Sequence, residues 1–114
     1  MKFFDASNFP SKAIVRTTAN TGSTITLDAS KGKIFVINVN DSFTLANPIN
    51  MKDGEQITVI FRILAASKVL TPGSKIKGSI TLTTTAARTD CITLIYDKTN
   101  DIYIVNNVRQ AIVH

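Results

Sequence analysis

Apolar and small polar residues alternate along most of this chain with a period of two, the pattern of a half-buried β-strand. In Thr24-Ile25-Thr26-Leu27-Asp28, Ile25 and Leu27 point one way while Thr24, Thr26 and Asp28 point the other. Lys33 to Val39 repeats the pattern, with Phe35, Ile37 and Val39 on one face and Ile34 and Val36 on the other. Part of that second face must therefore also be covered. Phe43 and Leu45 continue the alternation after Asn40-Asp41-Ser42, and Asn47-Pro48 ends it because proline has no ladder donor.

Lys52-Asp53-Gly54-Glu55 is a turn signal that leads into Gln56 to Leu64, where Ile57, Val59, Phe61 and Ile63 share one face. That segment is the longest predicted strand and the candidate for the centre of a sheet. Thr71-Pro72-Gly73-Ser74 reads as a turn, Lys75-Ile76-Lys77-Gly78 as a short exposed piece, and Ile80 and Leu82 as the start of a strand running into Thr83-Thr84-Thr85. Cys91 to Asp97 and Asp101 to Asn106 form a hairpin across Lys98-Thr99-Asn100. No helical period of useful length occurs. Short strands at intervals of about ten residues predict an all-β fold, an antiparallel β-sandwich or jelly-roll-like single domain, with a small barrel also open.

The ends depart from this pattern. Met1 to Lys12 carries Phe3, Phe4 and Phe9, three of the six phenylalanines, without alternation, and reads as an irregular N-terminal arm before a β-domain spanning 13–114. Rings of that size need burial. The arm either folds back on its own core or packs against another subunit. Phe3, Phe4 and Phe9 are the candidate interface residues.

Composition narrows the function. With 114 residues the chain is expected to form one domain that folds without a staple. The single cysteine, Cys91, permits no intramolecular disulfide and suits a reduced cytoplasmic origin. The first fifteen residues lack a signal-peptide core, and no stretch is long and apolar enough to span a membrane. Asn40-Asp41-Ser42 matches a glycosylation sequon, which carries no weight without a secretory signal.

Candidate chemistry is sparse. The only histidine is the terminal His114, a poor position for a preorganised base, and Cys91 lies mid-strand as a small core or interface hydrophobe. Zinc-ligand spacing is absent. Asp97, Asn100 and Asp101 offer oxygen ligands in one loop, but turn chemistry accounts for the same residues. Five isolated glycines make no phosphate loop. The expectation is a non-enzyme without metal or cofactor.

A net charge of +5 permits acidic partners. The basic residues, among them Lys31, Lys33, Lys52, Arg62, Lys68, Arg88, Lys98 and Arg109, form no run and suit solvated faces and turns. Lys31-Gly32-Lys33-Ile34-Phe35 brings basic and aromatic residues together as an OB-like single-stranded nucleic-acid binder would. Phe35, Phe43 and Phe61 nevertheless line up with aliphatic residues of the same face, which assigns them to the core.

The order of the motifs adds a resemblance. Thr24-Ile25-Thr26-Leu27-Asp28, Ser30, Gly32, Phe35, Ser42-Phe43-Thr44-Leu45 and Asn47-Pro48 are followed by Gly54 before the long strand, by Ser79 to Ala86, and by Asp90 to Tyr96 with Tyr103 beyond an acidic turn. This succession, across about residues 22 to 107, is similar to a β-module recurrent in tailed-phage virion proteins, found in head decoration proteins, head fibres and tail fibres. Its members often carry tryptophans in the segment matching Val69 to Ile80 and near Tyr103, and this chain has none.

The resemblance implies a structural virion protein. A capsid decoration or cement protein, bound in many copies to the major capsid protein on the head exterior, is the first expectation, as a homotrimer made in the host cytoplasm. A tail-associated fibre tip, adaptor or receptor-binding knob is the alternative, and the OB-like nucleic-acid binder the second. Under the first reading the aromatic arm anchors the protein, and removing Met1 to Lys12 abolishes particle binding without unfolding the domain.

Overall fold

The computed structural model describes residues 14–113, which are all-β with no helix. Nine strands follow in order: β1 Val15–Ala19, β2 Thr24–Ile25, β3 Ile34–Val39, β4 Phe43–Leu45, β5 Gln56–Ile63, β6 Leu70–Pro72, β7 Ile76–Lys77, β8 Arg88–Asp97 and β9 Ile102–Val113. The class matches the alternation in the sequence. The arrangement does not match an antiparallel sandwich.

Most of the pairing in the first half is parallel. β1, β3 and β5 lie side by side in one sheet with Val15, Phe35 and Val59 in register. β2, β4 and β6 form a second parallel sheet with Thr24 beside Thr44 and Phe43 beside Leu70. A further parallel bridge joins Asp28 to Ile49. The chain thus winds through three successive coils, each contributing a strand to both sheets, as in a short β-solenoid. Stacking similar coils lets each one cover the apolar face of its neighbour.

The hairpin β8–β9 supplies the antiparallel part. β8 pairs antiparallel with β5 and with β9, and β7 pairs parallel with β9, giving a six-stranded mixed sheet in the order β1-β3-β5-β8-β9-β7. Register shifts between Thr93 and Cys91 and between Cys91 and Thr89 accompany left-handed backbone at Asn107 and Ala111. These are bulges, which bend and twist the long β9 strand.

The core lies between the two parallel stacks. Phe35, Ile37 and Val39 of β3, Phe43 and Leu45 of β4, and Ile57, Val59, Phe61 and Ile63 of β5 are buried, joined by Leu70, Ile92, Leu94 and Tyr103. Burying each large aliphatic or aromatic side chain contributes about 1.5–3 kcal/mol. Val36, on the opposite face of β3, is also buried at 5% exposure, as the uninterrupted apolar run of that strand requires.

The segment of residues 80–85, expected as a strand, is not one. Asp90 of β8 pins it instead. Its carboxylate, 2% exposed, accepts hydrogen bonds from the Thr83 amide at 2.7 Å, the Thr83 hydroxyl at 2.6 Å and the Ala111 amide at 2.9 Å. Leu82 is thereby held in the core.

The corner after β4 explains Asn47-Pro48. Asn47 Oδ1 accepts the Lys75 amide at 2.9 Å, and the Pro48 carbonyl accepts the Tyr103 hydroxyl at 2.8 Å. Gly73 packs so closely there that a Cβ would meet Asn47 Oδ1 at 2.4 Å and the Asn47 backbone nitrogen at 2.6 Å. The Thr71-Pro72-Gly73-Ser74 stretch is therefore partly strand, with β6 at a sheet edge where proline is tolerated. Lys75-Ile76-Lys77-Gly78 holds β7, and Ile76 is buried rather than exposed.

Candidate interaction face

Strand parity divides the six-stranded sheet into a core side and an outer side, and the register fixes which outer residues adjoin. One row crosses five strands: Arg16 beside Val36, Val36 beside Ile60, Ile60 beside Cys91, and Cys91 beside Arg109. An arginine thus stands at each end of a short apolar row. The next row carries Thr18, Asn38, Arg62, Thr89 and Ile112, which places Arg62 next to Ile60 on β5. The row on the other side is Ile34, Thr58, Thr93 and Asn106.

These three rows carry three arginines and no acidic residue. Arg16, Arg62 and Arg109 are exposed, and none forms an ion pair among the described residues. The surface ion pairs lie elsewhere, as Lys33 with Glu55, Lys68 with Asp41 and Lys75 with Asp101. Half-buried Cys91 sits near the centre of the face. Its thiol is pushed above the ordinary value, first by burial, against a smaller opposing effect of the Arg109 guanidinium. A thiol held in its protonated form is a weak nucleophile.

The candidate calcium residues are engaged with their own surroundings. Asp97 accepts the side-chain amide of Asn100 at 2.8 Å and the Asn100 backbone amide at 3.3 Å, closing the hairpin turn. Asp101 accepts the Lys75 ammonium and, at 2.9 Å, the Tyr96 hydroxyl. No cluster of three or more histidine, cysteine or carboxylate side chains suited to a metal occurs among the described residues.

The Tyr96-Asp101-Lys75 triad braces the hairpin beside the stacked rings of Tyr96 and Tyr103, 4.7 Å apart. The Tyr96 phenol is pushed up to about 12, first by its hydrogen bond to Asp101, then by burial and by the nearby carboxylate charge. Asp101 is held below the ordinary carboxylate value of 3.8, first by Lys75 and then by Tyr96. Replacing Asp101 with asparagine is expected to bring the Tyr96 titration back toward 10.0, read from the phenolate absorbance. Because the Asp101 value is depressed by folding, its stabilising effect is complete above 3.8 and is lost as pH falls through the folded value. The variant should therefore lose less of its melting temperature on acidification than the parent protein.

The candidate interface residues Phe3, Phe4 and Phe9, and the terminal His114, lie outside the described residues. Phe35, Phe43 and Phe61 are buried, so the Lys31 to Phe35 segment presents no aromatic platform, and the three outer rows contain no aromatic ring. The sequence reading missed the arginine face because its three arginines come from three strands far apart along the chain, β1, β5 and β9. The available signal was parity: Arg62 stands between the core residues Phe61 and Ile63 and must point outward. No family model matches the chain, and no curated protein or solved structure is significantly similar to it.

Proposed function

We propose that this chain is a structural virion protein of a tailed bacteriophage, a capsid decoration or cement protein that docks on the head exterior in many copies. The observation that carries this reading is the arginine-bearing outer sheet face, on a scaffold whose buried side-chain polar atoms all have partners among the described residues. Such a face suits adhesion between rigid surfaces. The motif order of residues 22 to 107 supports the viral assignment by resemblance, and the same residues build the coils and the hairpin. Trimeric assembly belongs to the same proposal, since repeated modest contacts gain strength through multivalency.

The test uses the full chain and phage particles stripped of it. Saturable co-sedimentation with the particles, antibody label over the head and a native mass near three times 12.4 kDa are expected. Label confined to the tail would replace decoration with a fibre-tip or adaptor role. Failure to bind any part of the particle would reject the virion reading altogether.

A further inference from the structure

Resting on the reading that this protein works by docking, we infer that the outer face of the six-stranded sheet receives an acidic protein surface. Four strand spacings of about 4.8 Å separate the backbone of Arg16 from that of Arg109, so these two arginine positions bracket the apolar row across roughly 19 Å. Arg62 rises from the adjacent row above Ile60. Guanidinium groups pair with carboxylates through two parallel hydrogen bonds, and these three arginines have no carboxylate partner among the described residues. The partner therefore supplies carboxylates around a small apolar centre that fits against the half-buried Ile60 and Cys91, which Val36, already buried beside them, backs from below.

Two other occupants fit the same face less well. Single-stranded nucleic acid binds on aromatic platforms where successive bases stack, and every phenylalanine among the described residues is buried in the core. A second copy placed face to face would set three arginines against three arginines with no intervening acid, a like-charge arrangement that opposes association. The footprint of three rows, roughly 19 by 14 Å, is well below the ~800 Å² that each partner buries in a standard stable complex. A single docking event is accordingly weak and salt-sensitive, and firm attachment requires many copies.

Cys91, the only cysteine, is a built-in reporter at the centre of the face. The rate at which a maleimide labels it in the full-length protein is measured alone, with poly-L-glutamate, and with a single-stranded oligonucleotide of matched charge, each at low and high salt. Poly-L-glutamate is expected to slow labelling at low salt and not at high salt. The double variant R16S/R109S is expected to weaken poly-L-glutamate binding about tenfold, as the loss of two exposed ion pairs allows. The double variant K52S/K98S, with the same charge change at exposed positions off the face, should bind nearly as the parent does.

Poly-L-glutamate that binds without protecting Cys91, or equal weakening by both double variants, would overturn the assignment to this face. Stronger protection by the oligonucleotide would assign the face to nucleic acid instead. Protection that rises with protein concentration alone would assign it to a second copy. Particle binding that persists in R16S/R109S would remove the face from the docking site and leave the virion role standing. Protection by poly-L-glutamate without any particle binding would do the reverse.

Discussion

Asp90→Ala lowers the unfolding free energy by roughly 3 kcal/mol, the effect expected when a buried acceptor serving several donors is removed. The Asp90 carboxylate joins three stretches of chain: its own strand β8, the irregular segment holding Thr83, and the bulged end of β9 at Ala111. Hydrogen bonds to a charged acceptor contribute about 1.5–3 kcal/mol each, and alanine leaves two backbone amides without their acceptor. The sum of three such bonds exceeds the expected effect because water reaches the partly buried donors once the segment loosens. Asp90→Asn keeps one acceptor oxygen and should cost less. Urea denaturation reads the difference as a fall in the midpoint, and amide exchange should accelerate at Thr83 and Ala111 before it does so in β5. An unchanged midpoint and unchanged exchange at Thr83 would show that the carboxylate does not fasten that segment.

The same latch illustrates what the sequence reveals and what it hides. Alternation correctly assigns the faces of β3 and β5, because an apolar side chain at every second position has one economical place to go, and Phe35, Ile37, Ile57 and Phe61 are all core. The Lys98-Thr99-Asn100 hairpin is also legible, since Asp97 and Asn100 form its turn hydrogen bonds locally. Alternation does not name a strand's neighbours. A strand flanked by parallel partners one coil away has the same pattern as one in an antiparallel sandwich, and the sandwich expectation fails at that point. Thr83 and Leu82 look like alternating strand residues, yet the alternation serves a latch, with Leu82 turned to the core and Thr83 to Asp90.

Two other features needed the folded chain. β1, Val15 to Ala19, offers only a valine and an alanine to the core side of its sheet, too little apolar signal to predict a strand. It forms because β3 supplies a complete parallel ladder beside it. The arginine face is hidden for a related reason: Arg16, Arg62 and Arg109 converge through register, and no local spacing connects them. Asn47-Pro48, by contrast, is conspicuous in the sequence but acquires its meaning from distant partners, Lys75, Gly73 and Tyr103.

Phe61→Ala is the substitution with the largest expected effect, about 3–5 kcal/mol of lost stability for a fully buried phenylalanine. Phe61 is 0% exposed on β5, the strand where the parallel stack meets the antiparallel hairpin. It is in register with Ile37 of β3 and Asp90 of β8, and its ring lies 6.3 Å from that of Phe43 on the opposing sheet. Truncation therefore opens a void that borders two coils and the hairpin together. None of these can move inward without breaking its own ladder, so little of the void closes. A domain of this size has only about 5–15 kcal/mol in total, and the variant should unfold at a much lower urea concentration with an unchanged slope. Phe61→Leu refills most of the volume and should recover more than half of the loss. If Phe61→Ala instead matched the parent midpoint, the two sheets would not share the single core described above, and the coil stack and the hairpin would have to be treated as independently stable.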